Sequence, residues 1–182
     1  MKHNEYEMPP EEIRNLVDEL KRRLIERGVT GSIRIGGGAA MALRYPDDPA
    51  VRATRDVDAV YEPRAEVDQV IAELTAERNL EEGWLNSNAA GWLRVSGGED
   101  AAASFSIEIA SPRELIAMKL AAGREHDLVD IATIARHLGI TNAAEIVDIA
   151  YEVFGEDAVE LPDGRQSYLY LAAAALGYNS KR

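Results

Sequence analysis

Apolar residues near the start of the chain recur at helical spacing. Ile13, Leu16, Val17, Leu20 and Leu24 form one face of an amphipathic helix. Pro9-Pro10-Glu11-Glu12 suits its start, with proline at the first position and acids where the helix dipole favours them. Gly28 suits its end. Ser32-Ile33-Arg34-Ile35 then predicts a short strand running into Gly36-Gly37-Gly38. Ala39 to Leu43 follows as a helix of mostly small residues that packs closely, and Tyr45-Pro46-Asp47-Asp48-Pro49 is a loop. Arg55 to Tyr61 predicts a second strand. Val67 to Leu74 predicts a helix with Val67, Val70, Ile71 and Leu74 inward. Asn79 to Gly98, which holds both tryptophans and four glycines, predicts an irregular, partly packed segment. Ser104 to Ile109 alternates strictly, the pattern of a half-buried strand.

Beyond residue 110 the period is helical throughout. Ser111-Pro112-Arg113-Glu114 spells a capping box with proline at the first helical position, and the helix runs to about Ala122. Glu125 to Leu138 predicts another, with Leu128, Ile131, Ala135 and Leu138 on one face. Asn142-Ala143-Ala144-Glu145 opens a third, buried through Ile146, Ile149, Ala150 and Val153, and Tyr168 to Leu176 is the last. The reading is an α/β (α+β) chain: a mixed sheet with flanking helices over residues 1–110, and a helical part over 111–182 packed on that core. No repeat or low-complexity tract interrupts it.

Composition narrows the chemistry. The chain has 182 residues, enough to bury a sizeable core, and no apolar run long enough to span a membrane. The polar start Met1-Lys2-His3-Asn4-Glu5-Tyr6 lacks the apolar stretch of a signal peptide, so a cytoplasmic protein is expected. There is no cysteine and only three histidines, which removes thiolate chemistry and turns any metal site towards carboxylates, and so towards Mg²⁺ or Mn²⁺. A net charge of -12 argues against broad DNA binding, which needs a basic footprint, but leaves room for contact with one end of an RNA.

Against that background Asp56 and Asp58 stand out. On a strand, residues two apart point the same way, so these carboxylates lie side by side. A divalent cation relieves their repulsion, and Mg²⁺ commonly binds through one or two carboxylates plus substrate phosphates. A solvated strand face, or pairing with Arg52 and Arg55, is the alternative. The glycine run lies at a strand-to-helix junction, where backbone approaches a phosphate closely and a helix N-terminus presents free N–H groups. A tight turn requiring positive φ also explains it. Glu108 shares a strand face with Ser104 and Ser106. If that strand pairs beside the Asp56 strand, Glu108 becomes a third acid, a ligand for a second metal or a general base. Lys119 is the only charge in the apolar run Leu115 to Ala122, so it must reach solvent or meet an anion. A triphosphate qualifies, as do Asp127 and Asp130, which would lie near one stripe with Lys119 if the helix continued through Gly123.

Taken together these residues resemble the nucleotidyltransferase fold shared with DNA polymerase beta. The resemblance is nearest to the small bacterial AbiEii-like group and an uncharacterised nucleotidyltransferase family beside it. The matching features are a strand ending in Gly36-Gly37, a following helix, and Thr54-Arg55-Asp56-Val57-Asp58 on the next strand. After them come the helix pattern from Ser111 to Leu120 with Ala122 and Arg124, and then Asp127 and Asp130. Gly83-Trp84-Leu85-Asn86 and Leu138-Gly139-Ile140-Thr141 also resemble that family, and the likeness covers about residues 10 to 178. It departs in two places: the interval from Gly37 to Asp56 is lengthened by the Tyr45–Val51 loop, and the third acid is a glutamate. The resemblance implies a transferase that moves a nucleoside monophosphate from an NTP to a hydroxyl of a tRNA, a protein or a small molecule. Asp56, Asp58 and Glu108 would be catalytic, with Asp56 and Asp58 holding Mg²⁺ or Mn²⁺. Gly36, Gly37, Thr54, Lys119, Arg124, Asp127 and Asp130 would bind the nucleotide. AbiEii-like proteins belong to toxin–antitoxin or phage-defence pairs, which implies a cognate protein partner and, as the alternative, a non-catalytic antitoxin-like role.

Overall fold

A computed structural model describes residues 7–94 and 104–179. The N-terminal hexapeptide Met1–Tyr6 and the end of the irregular segment, Val95–Gly98, lie outside the described residues. The chain forms two compact units. One comprises residues 1–47 and 52–110, the other residues 48–51 and 111–182.

The first unit begins with helix α1 (Pro10–Glu26), which buries Ile13, Leu16, Val17, Leu20 and Leu24. Each such side chain removed from water contributes about 1.5–3 kcal/mol. Gly28, at φ 70, lets the chain reverse into strand β1 (Gly31–Ile35). Helix α2 (Gly37–Arg44) starts two residues earlier than its apolar pattern indicates. Ala39 to Leu43 are all buried, so α2 is a core helix rather than an amphipathic one. Strand β2 (Val57–Glu62), helix α3 (Arg64–Arg78), the two-residue strand β3 (Leu85–Asn86), a 3₁₀ turn (Asn88–Gly91) and strand β4 (Phe105–Ile109) complete the unit. Within α3, Val67, Val70 and Leu74 are buried and Ile71 is half-buried.

The sheet order is β3-β2-β1-β4. β1 runs antiparallel to β2, with Ile35 opposite Ala59, and parallel to β4, with Arg34 opposite Glu108. β2 runs parallel to β3, with Asp58 opposite Asn86. The alternation therefore sorts the sheet into two faces. Ile33, Ile35, Val57, Ala59, Tyr61 and Phe105 share a face and are buried. Arg34, Asp58, Val60, Ser106 and Glu108 share the other, and all of these but Val60 are only partly buried. Helix α1 packs against α2, α3 and β4, and α2 and α3 pack against β2. Arg44, in the last turn of α2, donates to the carbonyls of Ile109 and Ala110 and ties that helix to the end of β4.

The second unit consists of α4 (Pro112–Ala122), α5 (Glu125–Leu138), α6 (Ala143–Phe154) and α7 (Gly164–Asn179), with the short segment Asp48–Val51. α4 packs on α6, α5 on α7, and the pairs join through α4–α5 and α6–α7 contacts. The predicted capping box is complete: Ser111 Oγ accepts from Glu114 N and the Glu114 carboxylate accepts from Ser111 N. Three of the expected inward residues are less covered: Leu138, in the last turn of α5, is exposed, and Leu128 and Val153 are half-buried, whereas Ile131, Ala135, Ile149 and Ala150 are buried. No helix among the described residues is long and apolar enough to cross a membrane.

Candidate functional site

Antiparallel pairing places Asp58 beside the C-terminal end of β1. Gly36 N donates to the Asp58 carbonyl at 2.8 Å, so the glycine run turns directly beside the second carboxylate of the pair. Gly37 adopts φ 58, and a Cβ placed there would stand 2.6 Å from Asp58 Oδ2 and 3.3 Å from Asp58 Cβ. Glycine is thus required twice, by backbone conformation and by the space the carboxylate occupies. The next residue, Gly38, would bring a Cβ 3.0 Å from Thr54 Oγ1. The N-terminus of α2 carries no side-chain cap and no acid in its first turn. Its first N–H groups have no partner within the helix, and its dipole presents positive charge to the Asp58 carboxylate.

Asp56 lies outside the strand, on the bend that leads into it, contrary to the expected start at Arg55. The reason is local. Met8 N donates to the Thr54 carbonyl in an isolated bridge, and Thr54 Oγ1 donates to the Asp56 carbonyl, so the chain turns between 54 and 56. The ladder begins only where Val57 N donates to the Trp84 carbonyl. Asp56 and Asp58 are both half-buried. Asp56 Oδ2 accepts the side-chain amide of Asn86 at 2.9 Å. No pattern in the sequence assigns Asn86 a role, although it closes the Gly83–Asn86 stretch of the resemblance. A hydrophobic-polar step at the end of Trp84-Leu85 is the signal that was available.

Glu108 was expected to be a third acid if its strand paired beside that of Asp56. It does not. β1 intervenes, which sets Glu108 two strand spacings away, on the order of 10 Å from Asp58. Glu108 faces Arg34 of β1, with Nε and Oε2 3.8 Å apart. Among the described residues no three or more acidic or histidine side chains are gathered as a metal-binding cluster. In this unit the structure brings together Gly36, Gly37, Thr54, Asp56 and Asp58, and leaves Glu108 beside Arg34.

The remaining candidates form a group inside the helical unit. α4 ends at Gly123, which adopts φ 59, and α5 begins after Arg124, so the single stripe through Gly123 is replaced by a corner between two helices. Across that corner Lys119 Nζ reaches Asp127 Oδ1 at 2.9 Å and Asp130 Oδ2 at 2.6 Å. All three side chains are buried. Asp127 also accepts from Arg124 N at 3.2 Å, which caps the first turn of α5. Burial works against a charged Lys119, but Asp130 and Asp127 outweigh it, and the ammonium is held above the ordinary lysine range. Lys119 therefore meets an anion, as its setting demands, and the anion is a pair of aspartates.

No family model, no characterised protein and no solved structure matches this chain.

Proposed function

We propose that the chain is a metal-dependent nucleotidyltransferase, moving a nucleoside monophosphate from an NTP to a hydroxyl acceptor. The observation that carries the reading is the Asp58 carboxylate seated against Gly37 where strand β1 turns into α2, with Asp56 two residues before it. A cradle so close that no Cβ fits places an acid at the N-terminus of a helix, and that combination serves a phosphate with its counter-cation. Asp56 and Asp58 fit Mg²⁺ or Mn²⁺, since such ions take one or two carboxylates and complete their shell with water and phosphate oxygens. Bound there, the ion would neutralise charge on the phosphates.

In the proposed reaction the backbone at Gly37 receives the phosphates, Gly36 holds the turn through its bond to the Asp58 carbonyl, and Thr54 keeps the bend that presents Asp56. The acceptor oxygen forms a bond to the α-phosphorus in line with the bond to the departing oxygen. That bond breaks, pyrophosphate leaves, and the hydroxyl proton passes to solvent. Fixed N–H dipoles aimed at the phosphates lower the barrier because they need no reorganisation as charge develops. Incubation with labelled NTPs, Mg²⁺ or Mn²⁺ and tRNA, protein or small-molecule acceptors should transfer label, and Asp56→Asn and Asp58→Asn should abolish transfer. Equal transfer by the variants would sink the proposal.

One observation favours a second reading, a non-catalytic partner in a toxin–antitoxin or phage-defence pair. Lys119, the cation that the resemblance assigns to the triphosphate, is already engaged by Asp127 and Asp130. This reading predicts a stable complex with a cognate protein, and no heat on titration with Mg²⁺ and ATP.

A further inference from the structure

We infer that Asn86 is the positioning residue for Asp56, setting the direction in which this carboxylate meets a cation. The inference rests on the metal-dependent reading above. Asp56 stands on a bend, outside the ladder, so pairing in the sheet does not orient it. Asn86 is delivered from the neighbouring strand. β3 is only two residues long, yet it is anchored at its root: Trp84 and Leu85 are buried, and Trp84 Nε1 donates to Thr75 Oγ1 at 3.0 Å. The ladder then places Asn86 directly opposite Asp58.

The amide is oriented from both ends. Asn86 Oδ1 accepts from Asn88 N at 2.9 Å, which turns the NH₂ group the other way. That group donates to Asp56 Oδ2 at 2.9 Å and lies 3.4 Å from the Gly83 carbonyl. The choice of donor points to the purpose. A lysine or arginine here would neutralise Asp56 and compete with a cation. An amide fixes one oxygen while leaving the negative charge in place. An ionised carboxylate offers about four lone-pair directions, and one donated N–H leaves the others for a metal. Groups that hold a ligating carboxylate in this way govern metal affinity although they never touch the ion.

The test uses the full chain. Mn²⁺ affinity is measured by electron paramagnetic resonance for the wild type and for Asn86→Ala. In parallel, the Asn86 side-chain amide signal is followed by ¹H–¹⁵N NMR during titration with Mg²⁺, its assignment given by its loss in the variant. The expected result is a saturable shift of that signal in the wild type and about a tenfold or greater weakening of Mn²⁺ binding in Asn86→Ala. A residue that merely steadied the bend would move neither. If the wild type binds Mn²⁺ while the amide signal stays still and Asn86→Ala binds as tightly, the inference falls and the transferase reading stands. If the wild type binds no Mn²⁺, both fall. If Asn86→Ala does not fold, the wild-type amide titration decides alone.

Discussion

Gly37 and Lys119 are two residues whose surroundings permit little change. A non-glycine residue in the left-handed region costs about 1–3 kcal/mol, and at Gly37 the added methyl would also push Asp58 aside. Gly37→Ala should therefore lower the urea midpoint and, in the same sample, weaken Mn²⁺ binding. Loss of stability without loss of binding would separate the turn from the site. Lys119→Met removes the ammonium that Asp127 and Asp130 share, and breaking a buried pair of this kind costs about 3–5 kcal/mol. Because the Lys119 ammonium is held above its ordinary value of 10.5, its contribution is fully present below that pH and is lost only as pH rises beyond it. Wild type and Lys119→Met should thus converge in stability only in strong alkali. At this scale the sequence showed that Lys119 needed an anion and that the glycines stood beside the acid pair. It did not show which anion, because that depends on where the helix breaks, and Gly123 is as compatible with a continuing helix as with a cap.

Most elements were legible because their periods were regular and their ends carried explicit chemistry: Pro10 and Gly28 around α1, Ser111 and Glu114 at α4. Strand neighbours were not. Alternation in Ser104–Ile109 fixes which residues share a face but says nothing of which strand lies alongside, so the distance of Glu108 from Asp58 had to come from the sheet order. β3 was illegible for another reason. Two residues show no period, and its position follows from the burial of Trp84 and Leu85 rather than from any pattern. The loop holding Asp48 was legible as a loop, but its place beside α5 was not. Asp48 accepts from Arg136 at 2.8 Å and lies 2.8 Å from His137 Nε2, both near the end of α5. Burial pushes its carboxyl up, but Ala50 N–H, Arg136 and His137 outweigh burial and bring it down to about 2 from 3.8. The folded value is depressed, so the stabilisation holds above about 3.8 and disappears as pH falls towards 2. Asp48→Asn should flatten the dependence of the unfolding midpoint on pH across that window, and an unchanged slope would show that the contact contributes nothing.

For the molecule as a whole, charge sets the partners it tolerates. With a net charge of -12, random-sequence duplex DNA should bind weakly even at low salt in a mobility-shift assay, since binding to phosphates depends on releasing counterions with basic residues. Tight, salt-sensitive binding would contradict this and would move polynucleotides to the head of the candidate acceptors. The division between a mixed α/β half and a helical half was readable from the change of period at residue 110. The exception was not: residues 48–51 belong with the helices although they lie deep in the first half of the chain.

That exception bears on how the protein is made. Asp48 leaves the ribosome long before Arg136, from which it is separated by 88 positions. The helical unit therefore cannot reach its final form when its own helices have been synthesised in isolation. It also needs a piece of chain produced much earlier, and bringing the two together closes a large loop, which slows that docking. A gene cut between codons 110 and 111 would yield a second fragment with every helix of the unit present but with Arg136 and His137 deprived of Asp48, which would be stranded on the other polypeptide.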